Sequence, residues 1–399
     1  MKKLTSAKLR VINKTVSVEP KVLVFDISVP GALEKFNTFL SRTEIFDVCD
    51  TFSDQIEELF QVRNPSLKKG TKDFANGLEK FIEDQFGGRE NLFKAGGWVY
   101  FPWRGTLVHL LPPNLFFELR TNRNRDVLTE EEQKKYAEFT VGVAGLSVGN
   151  SIALTLALTG GSRIIKLADH DNLSLSNMNR IRASVSDLGL NKAYLAARQI
   201  YEIDPYSRIV FHPQGVNAQN LEDFFLKEPR LGVIVDAIDD LFLKLRIRLI
   251  AKKYKVPVVM VTDCGQGVLL DLERYDIDSS VEPFLGRVDG ATLEKILKRK
   301  LVGKERLKAV AQIVDLKNVS QRKTRSLLEI GKTLYTWPQL GSSIALCGVA
   351  ASFAIQKIAL GETINGSSLI SLEDVFLPKG DKVASEREAA SKDFFQSIS

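Results

Sequence analysis

The chain has 399 residues, 44% of them hydrophobic and 26% charged, and a net charge of +6 at pH 7. That length and apolar share support two domains or one large α/β unit with a sizeable core. The modest charge does not by itself imply nucleic acid, and suits a phosphate-rich small ligand or an acidic partner equally well. No apolar run is read as reaching the ~18 residues of a membrane span, and the start, MKKLTSAKLRVINKTV, lacks the apolar centre of a signal peptide. Three scattered cysteines, Cys49, Cys264 and Cys347, argue against a disulfide framework and against a local Cys-x-x-Cys zinc site. A cytoplasmic protein with no membrane association and no structural zinc is the expectation.

Residues 1–117 read as a smaller α+β domain of unassigned role. A strand is predicted over 21–26, helices over 53–61 and 73–85, and a hairpin over 97–111 turning at Arg104-Gly105. Trp98, Tyr100, Phe101 and Trp103 form a dense aromatic group, read as core packing, with a peptide-docking surface as the alternative. Residues 118–135 are a charged junction carrying Arg120, Arg123 and Arg125. They are either a solvated linker or, placed beside a phosphate, a clamp. Thr129 followed by three glutamates has capping-box spacing and should start a helix.

Residues 139–180 are the stretch on which the remainder depends. An apolar strand ends in the turn Gly145-Leu146-Ser147-Val148-Gly149, and a helix follows until Gly160-Gly161. A second strand then closes on Asp169. Strand, glycine turn and helix bring backbone N–H groups and a helix N-terminus to one point, which suits a phosphate. An acidic residue about 20 positions beyond the last glycine is where such folds hold a ribose. Further strands are expected over 208–211, 231–236, 256–262 and 265–275, with helices opening near Lys192 and over 241–254. Strands alternating with helices mean βαβ units and a mostly parallel, doubly wound Rossmann-like sheet. Residues 276–336 are a long basic connection, 340–360 an almost wholly apolar helix expected to be buried, and the last 20 residues a polar, frayed tail.

Asp169, Asp171, Asn177, Arg180, Lys192 and Asp239 fall at strand ends or in the loops after them, and in an open α/β sheet those positions converge. Lys and Arg can neutralise a triphosphate, one Asp can hold Mg²⁺ and another a ribose. Any one of them alone is an ordinary surface charge; the ordered set points to a nucleotide.

The run Asp169-His-Asp-Asn-Leu-Ser-Leu-Ser-Asn177-Met-Asn-Arg180, then Gly189-Leu-Asn-Lys192 and Asp236-Ala-Ile-Asp239, resembles the E1-like activating enzymes, the ThiF/MoeB superfamily that includes ubiquitin-activating enzymes. The resemblance covers residues 118–275, extends more loosely to 338–361, and makes 118–399 one adenylation domain. It implies ATP-dependent adenylation of a carboxylate, with the C-terminus of a small ubiquitin-like or sulfur-carrier protein or of a peptide as the expected substrate. It also implies that Gly145 and Gly149 line the phosphates and that Asp169 holds the ribose, with Asp171 beside it. Asn177, Arg180 and Lys192 would bind and polarise the phosphates, and Asp239 would sit on Mg²⁺. Arg120-Thr-Asn-Arg123 matches the family's arginine finger, donated across a homodimer, with Arg125 as the alternative.

The chain departs from that pattern in places. The family turn, Gly-x-Gly-Gly-x-Gly, is here Ala144-Gly-Leu-Ser-Val-Gly149, which limits backbone approach. The basic residue five positions after Asp239 is Lys244 where the family has Arg. Cys264 is the candidate for a thioester-forming nucleophile, set against an incidental buried thiol; Cys347 reads as core, and His170 as an exposed neighbour. The basic run from Lys295 to Arg325 reads as a solvated face that, in this superfamily, covers the substrate tail. It lacks the aromatic interleaving of single-strand binders. The alternatives are a tRNA-modifying relative, an ATP-binding interaction module without catalysis, and an NAD-dependent dehydrogenase. The last would not need Arg180, Lys192 and Asp239 together.

Overall fold

A computed structural model describes residues 19–377 and 380–398. The stretch 1–18, read above for targeting signals, lies outside the described residues. The chain divides into two compact units, residues 1–133 with Tyr201–Tyr206, and Lys134–Ile200 with Ser207–Ser399. The first boundary falls inside the junction expected to be a linker. Its N-terminal part is held in the first unit, where Arg63 makes a two-bonded ion pair with Glu118 and Asn124 bonds to Gln133 at 2.8 Å.

The first unit contains β1 (Leu23–Phe25), α1 (Ala32–Arg42), β2 (Asp47–Asp50), α2 (Phe52–Arg63), α3 (Lys72–Phe86), β3 (Gly97–Phe101), β4 (Thr106–Leu110) and α4 (Pro113–Arg120). The four strands form one sheet in the order β1-β3-β4-β2, with the expected hairpin at its centre. Of the aromatic group, Trp98, Tyr100 and Phe101 are buried. His109 is sandwiched between Trp98 and Phe52 with ring centroids 4.2 and 4.1 Å apart, so the group is core.

The second unit begins within α5 (Glu130–Glu138), whose start shows the expected reciprocal capping of Thr129 and Glu132. It continues through β5 (Val141–Ala144), α6 (Gly149–Leu158), β6 (Ile164–Ala168), α7 (Lys192–Ile203), β7 (Arg208–His212), α8 (Leu221–Leu226) and β8 (Val233–Asp236). Then come α9 (Leu241–Tyr254), β9 (Val258–Asp263), β10 (Gly267–Glu273), α10 (Gly290–Leu297), α11 (Gly303–Ile313), α12 (Gln321–Ser326) and α13 (Gly341–Ala359). The chain closes with β11 (Gly366–Ser371), α14 (Leu372–Phe376) and α15 (Gly380–Ile398). Its seven strands lie in the order β11-β10-β9-β8-β5-β6-β7. Strands β7, β6, β5, β8 and β9 are parallel, and β10 and β11 extend the sheet antiparallel. β5, β8 and β9 are buried along their whole length, as parallel strands covered on both faces must be. The order reverses between β5 and β8, and that switch point opens the crevice.

Two expectations about the C-terminal region need correction. The segment 380–398 is helix α15, not frayed tail. Ala390, Phe394 and Ile398 recur every fourth residue and are buried, the last two in a cluster with Leu269, Leu316 and Leu327. α13 is long and apolar enough to cross a membrane by length and composition, contrary to the sequence reading, but it packs against α6. Gly348 permits that approach: a Cβ there would stand 2.8 Å from the Ser151 carbonyl oxygen. Burial is one-sided, since Val349 and Phe353 remain more than half exposed.

Candidate functional site

The turn after β5 is fixed by backbone contacts. Gly145 has φ +88°, and a Cβ there would lie 2.3 Å from the Ala237 carbonyl oxygen in the turn after β8. Only glycine satisfies both demands. Gly149 has a packing role that the sequence did not show. Its Cβ position faces Val143 Cγ1 at 2.6 Å, so it lets α6 close onto β5.

Asp169 stands at the end of β6, 8% exposed. One carboxylate oxygen accepts the Leu146 N–H at 2.7 Å and the other the Asp171 N–H at 2.8 Å. The carboxylate therefore braces the glycine turn, and each oxygen keeps a lone pair for a hydroxyl. Lys192 opens α7 nearly buried, and its ammonium meets Asp171 at 2.9 Å. That hydrogen bond holds the Asp171 carboxyl below its usual range. Asn177 uses its side-chain oxygen to cap its own loop at Ser174 N–H, 3.1 Å away, leaving the amide NH₂ as its outward donor.

Arg180 reaches back across the turn. Its Nε donates to Ser147 Oγ at 3.0 Å, and its Nη1 to Asn179 Oδ1 at 2.9 Å. Burial lowers the guanidinium's affinity for its proton, and Asp239 and Asp263 oppose that. Ser147, standing where the family pattern has a glycine, is thus the hydroxyl that receives Arg180. An open cleft of about 320 Å³ adjoins this arginine, lined by Ser151, Met178, Arg182, Gly341 and Ala345 among others.

Asp239 is exposed on the turn between β8 and α9. A solvated carboxylate fits Mg²⁺, which keeps most of its water and takes one or two carboxylates together with phosphate oxygens. Asp169, His170 and Asp171 also present ligand atoms within 4.8 Å of one another, but Asp171 is already neutralised by Lys192. His170 is exposed, as expected.

Beneath the site lies a network that sequence reasoning missed. Asp236 is fully buried and meets Lys244 at 3.1 Å and Arg248 at 2.6 Å. Arg248 is also fully buried, pairs with Glu273 at 2.8 Å, and stacks 4.0 Å from the centre of the Phe284 ring. Burial works against the Asp236 charge, yet Lys244 and Arg248 together hold its carboxyl below the usual range. Lys244 is therefore engaged with Asp236 below the turn. Asp236 and Lys244 had been singled out separately in the sequence, but the signal for the buried pairing was an arginine placed where α9 needs an apolar face.

Cys264 does not meet the requirements of a nucleophile. It is 3% exposed, its Sγ donates to the Thr262 carbonyl at 3.4 Å, and burial pushes the thiol up to about 12. Cys347 is buried in α13, as expected. Arg120, Arg123 and Arg125 belong to the first unit. Arg120 lies 3.5 Å from Asp204 there, whereas Arg123 and Arg125 are exposed.

Residues 120–367 match the model of the ThiF family. The chain belongs to that family. An uncharacterized protein of Mycobacterium tuberculosis is 37% identical over 274 residues, 68% of this chain and 37% of the relative. The Bacillus subtilis tRNA threonylcarbamoyladenosine dehydratase is 26% identical over 195 residues, 48% of this chain and 72% of its own. Ubiquitin-like modifier-activating enzyme 5 of Caenorhabditis elegans is 30% identical over 113 residues, 28% of this chain and 27% of its own. This chain thus spans little more than a third of the first of these relatives. The ThiF match begins at residue 120, in the first unit, and runs through the glycine turn, Asp169, Arg180, Lys192 and Asp239 to β11.

Proposed function

We propose that this chain activates a carboxylate by ATP-dependent adenylation. The observation that carries the reading is the grouping, around a braced glycine turn at the sheet's switch point, of a ribose-type carboxylate, Asp169, with two cations, Arg180 and Lys192. In the reaction a substrate carboxylate oxygen attacks the α-phosphorus, the bond from that phosphorus to the bridging oxygen breaks, and pyrophosphate leaves. Arg180 and Lys192 act by positioning and by stabilising charge that grows on phosphate oxygens. Asn177 adds an amide donor. Mg²⁺ held at Asp239 would supply further neutralisation of the polyphosphate. The buried Cys264 favours a reaction that stops at the acyl-adenylate. An exposed Arg123 or Arg125 from a second copy is the source we favour for an arginine finger, making the working form a homodimer in the cytoplasm.

Two substrate classes fit. One is the C-terminal carboxylate of a small ubiquitin-like protein or a peptide. The other is a carboxylate on a modified tRNA base, favoured by the likeness to the B. subtilis dehydratase, which extends over 72% of that enzyme. Calorimetric titration with Mg·ATP and, separately, NAD tests the nucleotide assignment. Wild type should bind Mg·ATP and not NAD, with Arg180→Ala and Asp239→Ala each weakened at least about tenfold, the loss of one charge-assisted contact. No binding of Mg·ATP by wild type would end the adenylation reading.

A further inference from the structure

The cleft of about 320 Å³ beside Arg180 is built from three segments of the second unit: Ser151 in the first turn of α6, the loop 178–183, and Gly341 and Ala345 at the start of α13. Main chain holds the segments together. Asn179 Nδ2 donates to the Gln339 carbonyl at 2.7 Å, and a Cβ on Gly341 would lie 2.3 Å from the Asn179 carbonyl oxygen. Arg180 has Nε on Ser147 and Nη1 on Ser176 and Asn179, which leaves Nη2 for a ligand.

Three features of the cleft ask for an anion. Its lining carries two guanidinium groups and no carboxylate, and Arg182 is exposed and forms no ion pair among the described residues. α13 brings its N-terminal end to the cleft through Gly341, and such an end favours negative charge. Ser151 is only 4% exposed, lines the cleft, and its hydroxyl has no hydrogen-bond partner among the described residues. A buried hydroxyl left without a partner is an exception that a bound group would resolve. Met178, Ala183 and Ala345 add apolar surface, for which a polyphosphate has no use. The volume lies at the low end of small-molecule sites, which run from about 300 to 1,000 Å³.

We propose that this cleft receives the substrate's carboxylate together with an apolar group next to it. The activated acid then ends like a peptide with a leucine-sized last residue, and not like a Gly-Gly tail. Arg182 and Arg180 Nη2 take the carboxylate, Ser151 donates to it, and Met178 and Ala345 cover the apolar group. The inference rests on the adenylation reading, and it puts the attacking carboxylate and the nucleotide phosphates on opposite sides of one guanidinium.

The test is calorimetric titration of the full chain, with and without AMP, using N-acetyl-leucine, its amide, N-acetylglycine and pyrophosphate as probes. N-acetyl-leucine should bind, with the amide and N-acetylglycine each at least about tenfold weaker. Arg182→Ala should weaken N-acetyl-leucine at least about tenfold, the loss of one charge-assisted contact. Ser151→Ala should weaken it about threefold and leave the thermal midpoint unchanged or higher, because no partner inside the protein is lost. A lower midpoint would give that hydroxyl a structural role and overturn its place in the site. Pyrophosphate that binds more tightly than N-acetyl-leucine and depends on Arg182 would assign the cleft to phosphates and overturn the inference. Equal affinity for N-acetylglycine, or no binding of N-acetyl-leucine in either state, would overturn it too. Separate Mg·ATP titrations keep the two readings apart. A chain that binds Mg·ATP but not N-acetyl-leucine overturns this inference alone, whereas one that binds N-acetyl-leucine but not Mg·ATP overturns adenylation and supports the acid site.

Discussion

Replacing Arg248 with methionine should be among the most damaging single changes in the second unit. The side chain is fully buried and is shared by two carboxylates, Asp236 at 2.6 Å and Glu273 at 2.8 Å. After the change Asp236 keeps Lys244, whereas Glu273 keeps only the Tyr275 hydroxyl at 3.0 Å and the Phe284 N–H at 2.7 Å. Removing one member of a buried charge group costs about 3–5 kcal/mol, because the partner is left ionised or must take a proton. Loss of stacking on Phe284 adds to this. The pH dependence follows from the direction of the shifts. Burial already raises the Glu273 carboxyl above its usual range, and Arg248 opposes that. Such a group favours the folded state below its unfolded value, and that contribution is lost as pH rises through the folded value. Without Arg248 the Glu273 value rises further. The penalty should therefore be full at neutral pH and shrink as pH falls toward the ordinary carboxylate range. Asp236 works in the same sense, since the stability it gives wild type above that range fades on acidification. Urea unfolding at neutral pH and near pH 5, followed by circular dichroism, measures both features. A loss below about 1 kcal/mol, or an equal loss at the two pH values, would refute the reasoning.

Gly145→Ala should cost at least about 2 kcal/mol, combining a left-handed backbone with a Cβ driven into the Ala237 carbonyl. Thermal unfolding checks it, and a wild-type midpoint would show that the two turns are not packed as described. Cys264→Ser should leave Mg·ATP binding and ATP–pyrophosphate exchange unchanged. In native wild type the thiol should react with a disulfide reagent far more slowly than exposed Cys49, in keeping with its raised pKa. Rapid native labelling at Cys264 would reopen a thioester step.

The parts read from sequence were those whose signals are local. The glycine turn, Asp169 and the strand–helix alternation are each written within about ten residues, and periodicity suffices to find them. Where the structure went further, the cause was long-range. β11 is the polar run GSSLIS, a strand only because it pairs with β10. α15 did carry a signal, one apolar residue per turn at Ala390, Phe394 and Ile398, diluted by the charges around it. Arg248 and Lys166 were given no role from the sequence. They are buried because partners far along the chain receive them: Asp236 and Glu273 for the first, and the Phe224 and Lys227 carbonyls for the second. Gly149 was assigned to phosphates on its place in a motif, and only its distance from Val143 shows that its missing side chain also serves packing.

The abutment of the two turns at Gly145 and Ala237 has a consequence for how this protein can change. A floor made of main chain in close contact tolerates neither an inserted residue nor a new side chain, so the place where a nucleotide would rest is effectively frozen. Novelty has to come from above it, from the exposed Asp239, from Arg182 beside the cleft, and from the long basic connection. Descendants of this chain can acquire new partners by redrawing that upper storey while inheriting the foundation unaltered.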